Sequence, residues 1–476
     1  MPPRTEKDEY DLAVIGAGSA GFSASITAAE AGARVLLIGE GTIGGSCVNV
    51  GCVPSKALIR AVESIHQANS AARFAGIEAG ARLSDWPALI RQKDALVEEL
   101  RQAKYIDLLP QYPAITYREG HASFTDGRLH VDGAPVRADK ILIATGSSPM
   151  IPDINGLEEA GYLTSTEALS LPALPQSLIV IGGGYIGCEL AQLFARAGSA
   201  VTITCRRRLL PEADEEISQA LEEAFADEGI RVLRGVSYLG AGRKGDMASL
   251  SLKAAEGELT IMGEHLLITA GRKANTEGLN LPAAGVKTDD KGAVIVDEHM
   301  RTSQEGIYAA GDVTGRDQFV YMAAYGARIA VQNALGQDKP VYDNRAMPAV
   351  VFSDPQVATV GLGEKAARAR GIDVRTSVLP LTAVPRALAA RDTRGLIKLI
   401  AENRPEAPEQ GRILGAQIIA PEGADTIQTA ALTISQNLTI ADLAAMICPY
   451  LTNAEGLKLA AQTFGKDIAK LSCCAG

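Results

Sequence analysis

The sequence predicts an α/β chain with two successive dinucleotide-binding folds, followed by an α+β domain without a nucleotide signature. Three observations predict it. A strand, glycine turn, helix and second strand open the chain; the same pattern returns near residue 180; and 476 residues suffice for about three domains of roughly 150 residues. Hydrophobic residues make up 47% and charged residues 21%, ordinary globular usage that excludes bulk disorder. The net charge of −10 lacks the footprint of a nucleic-acid binder. No uncharged apolar run reaches the length of about 18 residues that a membrane span needs. Met1–Asp11 is too charged for a secretory signal, so a cytoplasmic location is expected.

The first fold is read from Tyr10–Ile15 as a strand, Gly16-Ala-Gly18-Ser-Ala-Gly21 as the turn, an Ala-rich helix to Gly32, and Arg34–Ile38 as the second strand. Each glycine has a reason: Gly16 for the tight turn, Gly18 for backbone approach to a pyrophosphate, Gly21 for close helix–strand packing. The helix N-terminus then faces the phosphates. Glu40 stands 19 residues beyond Gly21, placed to accept from a ribose hydroxyl. This is a Rossmann-like fingerprint.

The second copy runs through strand Leu178–Ile181, turn Gly182-Gly-Gly184-Tyr-Ile-Gly187 and strand Ala200–Thr204. Where an NAD site would need an acid, Cys205 is followed by Arg206, Arg207 and Arg208, which suits the 2′-phosphate of NADPH. An ordinary solvated turn is the plainer alternative. Short strands ending at Gly146, at Gly271-Arg272 and at Gly311-Asp312 complete the nucleotide-binding framework. From about Pro348 onward, strands such as Gly395–Ile400 alternate with helices ending near Lys470, as in an interface domain.

Between these elements lies Gly44-Gly45-Ser46-Cys47-Val-Asn-Val-Gly51-Cys52-Val-Pro54-Ser-Lys56. Residues five apart in a regular helix point about 140° away from each other, so closing a disulfide here requires a distorted segment. The glycines permit one. Cys52 just before Pro54, a favoured first helical residue, sits at a helix N-terminus; that and Lys56 favour a thiolate. We read the pair as a dithiol built to exchange electrons. With seven cysteines, an odd and sparse set, a disulfide scaffold is excluded.

Over essentially the whole chain this arrangement resembles the flavin disulfide-reductase class, the glutathione reductase-like fold. The resemblance implies an FAD-binding domain with the redox-active disulfide over 1–153, an NADPH-binding domain over 154–280, a return to the FAD domain over 281–347, and a dimerisation domain over 348–476. It implies Cys52 as the flavin-facing, charge-transfer thiolate, Cys47 as the exchanging thiol, and a pair between Lys56 and Glu189. Gly41, Ser46, Ala122, Asp312 and Val320 fall where relatives contact FAD. One departure bears on substrate. Relatives that reduce dithiol–disulfide substrates carry a His in the last domain as acid/base. Here Tyr450 stands in its place, and no histidine follows His299.

The chain ends in Ser472-Cys473-Cys474-Ala-Gly476. Adjacent Cα atoms about 3.8 Å apart would strain a vicinal disulfide. A terminal dithiol suits capture of a soft metal ion, though a redox shuttle is a second possibility. Together with Pro449-Tyr450-Leu-Thr and Glu455-Gly-Leu-Lys-Leu, the tail resembles the mercuric reductases. That implies Hg(II)–thiol complexes as substrate, a homodimer with shared sites, and metal passing from Cys473 and Cys474 of one subunit to Cys47 and Cys52 of the other. Tyr450 would lie on the metal path and Tyr185 beside the nicotinamide. It also implies a catalytic core without the N-terminal metal-binding domain common in that family. A thioredoxin-reductase-like enzyme and a non-catalytic metal-sequestering flavoprotein are the rival readings. Cys188, Cys205 and Cys448 are read as small buried hydrophobes.

Overall fold

The computed structural model describes residues 9–336 and 339–471. They form two compact units. One holds the described residues up to Ala57, Pro87–Met150 and Gly271–Asp343; the other holds Leu58–Trp86, Ile151–Ala270 and the residues from Asn344 onward.

The first unit is built on a five-stranded parallel sheet, ordered Ile307–Ala309, Arg137–Ile143, Glu9–Ile15, Val35–Gly39, Ile115–Glu119. Its central strands are nearly continuous apolar runs, as expected where helices cover both faces. Leu12, Val14, Val35 and Leu37 are fully buried. Helix Ser19–Glu30 joins the first two strands, and helix Val320–Ala334 packs on it through small residues: Ser23 Oγ donates to the Ala324 carbonyl at 2.9 Å. A Cβ on Gly311 would stand 3.2 Å from both Ala20 and Ala323, so only glycine lets the last strand turn beneath the pair.

The second unit repeats the motif with a four-stranded parallel sheet, ordered Arg231–Arg234, Ala200–Cys205, Ser177–Ile181, His265–Ile268. A three-stranded antiparallel sheet, Ser237–Lys244, Met247–Ala254 and Gly257–Gly263, follows in the chain. The region after Pro348 forms a five-stranded antiparallel sheet carrying helices Gly423–Ser435 and Asn453–Gln462. The fold class is therefore the expected one, two dinucleotide-binding folds with an α+β domain. Two buried cations in this unit are paired, as burial demands. Lys398, 2% exposed, reaches Asp214, Glu216 and Glu364 at 3.0 Å each. Arg196 pairs with Glu228 at 2.6 Å and Asp354 at 3.0 Å. Among the described residues no helix is long and apolar enough to cross a membrane.

Candidate active site

Cys47 and Cys52 fall on two separate helical segments, Gly45–Asn49 and Cys52–Asn69. The break supplies the distortion that the five-residue spacing requires. Gly44 and Gly45 take φ +98° and +68°, open to glycine at little cost, and a Cβ on Gly51 would lie 2.9 Å from the Ser46 carbonyl oxygen. Asn49 ties the segment down by donating to the Ile43 and Gly45 carbonyls at 2.9 Å each. One detail differs from the sequence reading: the helix begins at Cys52, so Pro54 is its third residue and not its first. The cysteine itself occupies the helix N-terminus, where the helix dipole acts on it directly.

The two sulfurs are hydrogen-bonding neighbours across the break. The Cys47 thiol donates to the Cys52 sulfur, and the Cys52 backbone N–H donates back to Cys47. That thiol–sulfur hydrogen bond, then burial, hold the Cys47 thiol far above the ordinary range, with Lys56 opposing the shift. Tyr105, which sequence reasoning passed over, and Arg272, expected among the cofactor contacts, both act on the pair. Burial raises the Tyr105 hydroxyl, which is hydrogen-bonded with the Ser19 side chain, and the charges of Cys47 and Cys52 raise it further. Its ring meets Phe22 edge-on at 4.8 Å. No signal in the sequence marked Tyr105. Arg272 interacts electrostatically with both Asp312 and Cys52, and its guanidinium donates to the Ser147 hydroxyl at 2.7 Å. Ser147 in turn donates to Asp312 at 2.7 Å, so Arg272, Ser147 and Asp312 form one network.

The first glycine turn fits a dinucleotide. A Cβ on Gly16 would fall 2.3 Å from the Ala144 carbonyl oxygen, and Gly18 and Gly45 meet Cα to Cβ position at 3.5 Å. The helix that follows has neither a side-chain cap nor an acid in its first turn, leaving its N-terminal N–H groups to an anion. Glu40, at the end of the second strand, accepts from His121 Nδ1 at 3.1 Å, and that bond raises the imidazole above its ordinary value. His121 had no role in the sequence reading, although it immediately precedes Ala122. Gly41 and Ser46 are exposed near this turn, Gly146 takes φ +73° after its strand, and Val320 starts its helix.

The second turn has the same uncapped, acid-free helix start at Tyr185. Tyr185 is half-buried and hydrogen-bonded with Thr359, and burial raises its hydroxyl. It lines a cavity of ≈ 230 Å³ with Gly184, Pro211, Val351, Thr359 and Gln417. Glu189, 6% exposed, accepts from the Phe352 N–H at 3.0 Å. The three arginines part ways. Arg206 lies over the Tyr238 ring at 5.7 Å, and Arg207 pairs with Glu212 at 3.4 Å in solvent. Arg208 turns inward to the Pro211 carbonyl at 3.4 Å and the Ala213 carbonyl, so it builds the loop and is withdrawn from the set of three expected at a 2′-phosphate. Gly271, with φ +124°, accepts from Met150 N at 3.0 Å.

Tyr450 is 57% exposed on a segment that also exposes Ile447. Glu455, buried, accepts from Leu451 N at 3.2 Å and fixes the start of helix Asn453–Gln462. Cys188 and Cys205 are buried as expected, whereas Cys448 is half-buried. Cys473 and Cys474 lie outside the described residues.

Comparison with known proteins agrees with this fold. The family model for pyridine nucleotide-disulphide oxidoreductases matches residues 10–330, and that family's dimerisation domain matches 347–461. A mercuric reductase of Streptomyces lividans is 47% identical, covering 98% of both chains. One from Staphylococcus aureus is 46% identical over 98% of this chain and 85% of its own length. Among solved structures, the HOCl-induced flavoprotein disulfide reductase RclA from Escherichia coli matches with a TM-score of 0.83 at 31% identity, covering 96% of this chain and 100% of that one. The chain belongs to the pyridine nucleotide-disulphide oxidoreductases, in the branch of the mercuric reductases.

Proposed function

We propose that the protein reduces Hg(II), held as a dithiolate, to Hg(0) at the expense of NADPH, and that Cys47 and Cys52 form the site where the metal is reduced. The family uses FAD and a nicotinamide dinucleotide; the preference for NADPH is our reading of Arg206 and Arg207. The observation that carries the proposal is the hydrogen-bonded pair of cysteine sulfurs at the start of helix Cys52–Asn69. Gly16, Gly18, Gly21 and Glu40 would hold FAD, with Gly41, Ser46, Ala122, Gly146, Asp312 and Val320 around it. Gly182, Gly184, Gly187 and the two arginines would hold NADPH. FAD, when bound, supplies the electron pair that converts Hg(II) to Hg(0), drawn from the nicotinamide.

The chain's residues do the rest. The disulfide form of the pair binds no metal, so the dithiol is the working state. A complex RS–Hg–SR exchanges both ligands: the Cys52 thiolate and the Cys47 thiol become its two ligands, and one RS⁻ and one RSH leave, the latter with the Cys47 proton. On reduction both Hg–S bonds break, Hg(0) departs, and Cys47 recovers a proton. Lys56, whose charge favours the Cys47 thiolate, eases this loss and return. We assign the pairing of Lys56 with Glu189 beside the flavin, Tyr185 beside the nicotinamide, and Gly271 and Arg272 to cofactor contact on the same reading.

Delivery belongs to the proposal as well: Cys473 and Cys474 of one subunit take the ion from bulky thiols and pass it, past Tyr450, to Cys47 and Cys52 of the other. A homodimer is the setting, supported by the dimerisation-domain match and by apolar side chains such as Leu432 (60% exposed) and Ile447 (97% exposed) in that region, and a cytoplasmic location is part of the same reading. The likeness to a solved disulfide reductase favours a second reading, turnover of a disulfide. One experiment separates them. Anaerobic NADPH oxidation by the holoenzyme is followed with Hg(II) in excess thiol, and in parallel with oxidised glutathione, lipoamide and thioredoxin disulfide. Consumption with Hg(II), with mercury leaving as vapour, is expected; turnover of a disulfide with silence toward Hg(II) refutes the proposal.

A further inference from the structure

We infer that Tyr238 is a specificity-determining positioning residue, its ring holding the Arg206 guanidinium ready for the 2′-phosphate of NADPH. The inference rests on the NADPH reading above. Arg206 and Tyr238 are 32 residues apart in the chain, and the structure brings them together by backbone before any side chain is considered. Val236 N donates to the Cys205 carbonyl at 3.2 Å, and Gly235 N to the Arg207 carbonyl at 2.8 Å. These bonds set the start of strand Ser237–Lys244 alongside the arginine segment. The ring is then pinned at its far end, where Tyr238 Oη donates to the Thr204 carbonyl at 3.1 Å. Its face carries the Arg206 guanidinium 5.7 Å from the centroid. A bulge between Tyr238 and Gly240 follows at once, a device by which strands re-aim side chains.

The contrast with the neighbouring arginines gives the arrangement its meaning. Arg208 is spent on loop carbonyls, and Arg207 pairs with Glu212 in solvent, an ion pair that a phosphate must displace. Arg206 alone of the three rests on an uncharged aromatic face. A ring face attracts a cation without neutralising its charge, and it limits the rotamers of a long side chain. The guanidinium keeps its donors and its full charge for a phosphate while much of the ordering cost is already met.

The test is equilibrium binding of NADP⁺ and of NAD⁺ to the FAD-loaded protein by titration calorimetry, which needs no turnover. Tyr238→Leu is expected to weaken NADP⁺ about three- to tenfold and leave NAD⁺ unchanged, the range of a cation–π contact. Tyr238→Phe, which keeps the face, is expected to stay within about twofold. In an Arg206→Ala background the effect of Tyr238→Leu should vanish, since the two residues act as one. Arg206→Lys leaves the Tyr238 packing untouched but replaces the flat guanidinium, and should lose most of the preference even if Tyr238→Leu folds poorly. Equal loss for both nucleotides, an effect that persists without Arg206, or full preference in Arg206→Lys overturns the inference while leaving NADPH as the reductant. An Arg206→Ala protein that binds NADP⁺ as the wild type does refutes the NADPH reading itself, and the inference with it.

Discussion

In the first glycine turn Gly16 takes φ +114°, and a Cβ at Gly21 would lie 1.7 Å from the Gly16 carbonyl oxygen; in the second, Gly182 takes φ +123°, and a Cβ at Gly187 would lie 2.1 Å from the Gly182 oxygen. Both following helices begin without a side-chain cap or an acid in the first turn. What differs is the surroundings. At the first turn the Gly45 segment closes in: a Cβ on Gly45 would stand 2.7 Å from the Gly18 Cα, and the dithiol hairpin follows directly. At the second, nothing lies within 4 Å of a Cβ on Gly184, and a cavity opens beside Tyr185. The strands that follow end in Glu40 in one case and in Arg206 and Arg207 in the other. On the proposed reading, pyrophosphate binding is a backbone property that both copies share, while the choice of nucleotide and the redox chemistry lie with the neighbours.

Substitution at the third glycine of each turn should separate the two copies most sharply. Gly21→Ala places a methyl against backbone that cannot yield, and is expected to give colourless protein that fails to retain FAD. Gly187→Ala should stay yellow and lose binding of the nicotinamide nucleotide by about tenfold or more, given overpacking costs of about 1–3 kcal/mol. Absorbance at the flavin band and calorimetry with NADP⁺ read the two losses independently. A Gly187→Ala protein that loses its flavin would break the comparison.

Next in size is the exchange of strand-end chemistry. Arg206→Glu with Arg207→Glu should reverse the nucleotide preference, with NADP⁺ weakened about tenfold to a hundredfold for each charge-assisted bond removed, at about 1.5–3 kcal/mol apiece. NAD⁺ binding measured alongside is expected to hold or improve. Loss of both nucleotides together would place the arginines in loop folding, the part that Arg208 already plays.

A third measurement concerns the chemistry that only the first turn has beside it. Cys47 keeps its proton well above the usual thiol range, whereas its pair partner accepts. Offered Hg(II) without a competing thiol, the pair binds it as two thiolates, so capture near pH 7 should release the Cys47 proton to solvent, and apparent affinity should rise with pH through the neutral range. Calorimetry in buffers of different ionisation heat counts the protons. Release of two would mean that both sulfurs start as thiols, and release of none that both start as thiolates.

The smallest effect expected is at His121. The pair with Glu40 raises its ionisation, so the contribution to stability is complete below the unfolded value and is lost as pH rises through the folded one. Both partners are largely exposed, which limits the term to under about 1 kcal/mol. His121→Gln should therefore lower the melting temperature slightly at pH 5 and not at pH 9, and weaken FAD retention at most about fivefold.

The two turns, the acid and the arginines after their strands, and the Cys47–Cys52 spacing were all legible in the sequence. Each is a short-range pattern whose geometry follows from a few consecutive residues: a positive φ that only glycine takes readily, an apolar run that must be a buried strand, a spacing that no regular helix can close. The class of fold followed from the repetition of one such pattern. Tertiary structure alone decided the rest. Arg208 reads like its two neighbours, yet its donors go to carbonyls that a loop brings round. Tyr105 stands 58 residues beyond Cys47, and Tyr238 32 beyond Arg206, with no periodicity linking either pair. The raised ionisation of the Cys47 thiol depends on one hydrogen bond, on burial and on Lys56 acting together. Contacts between distant segments and the local dielectric they create have no signature in the order of residues; they exist only once the chain has closed around them.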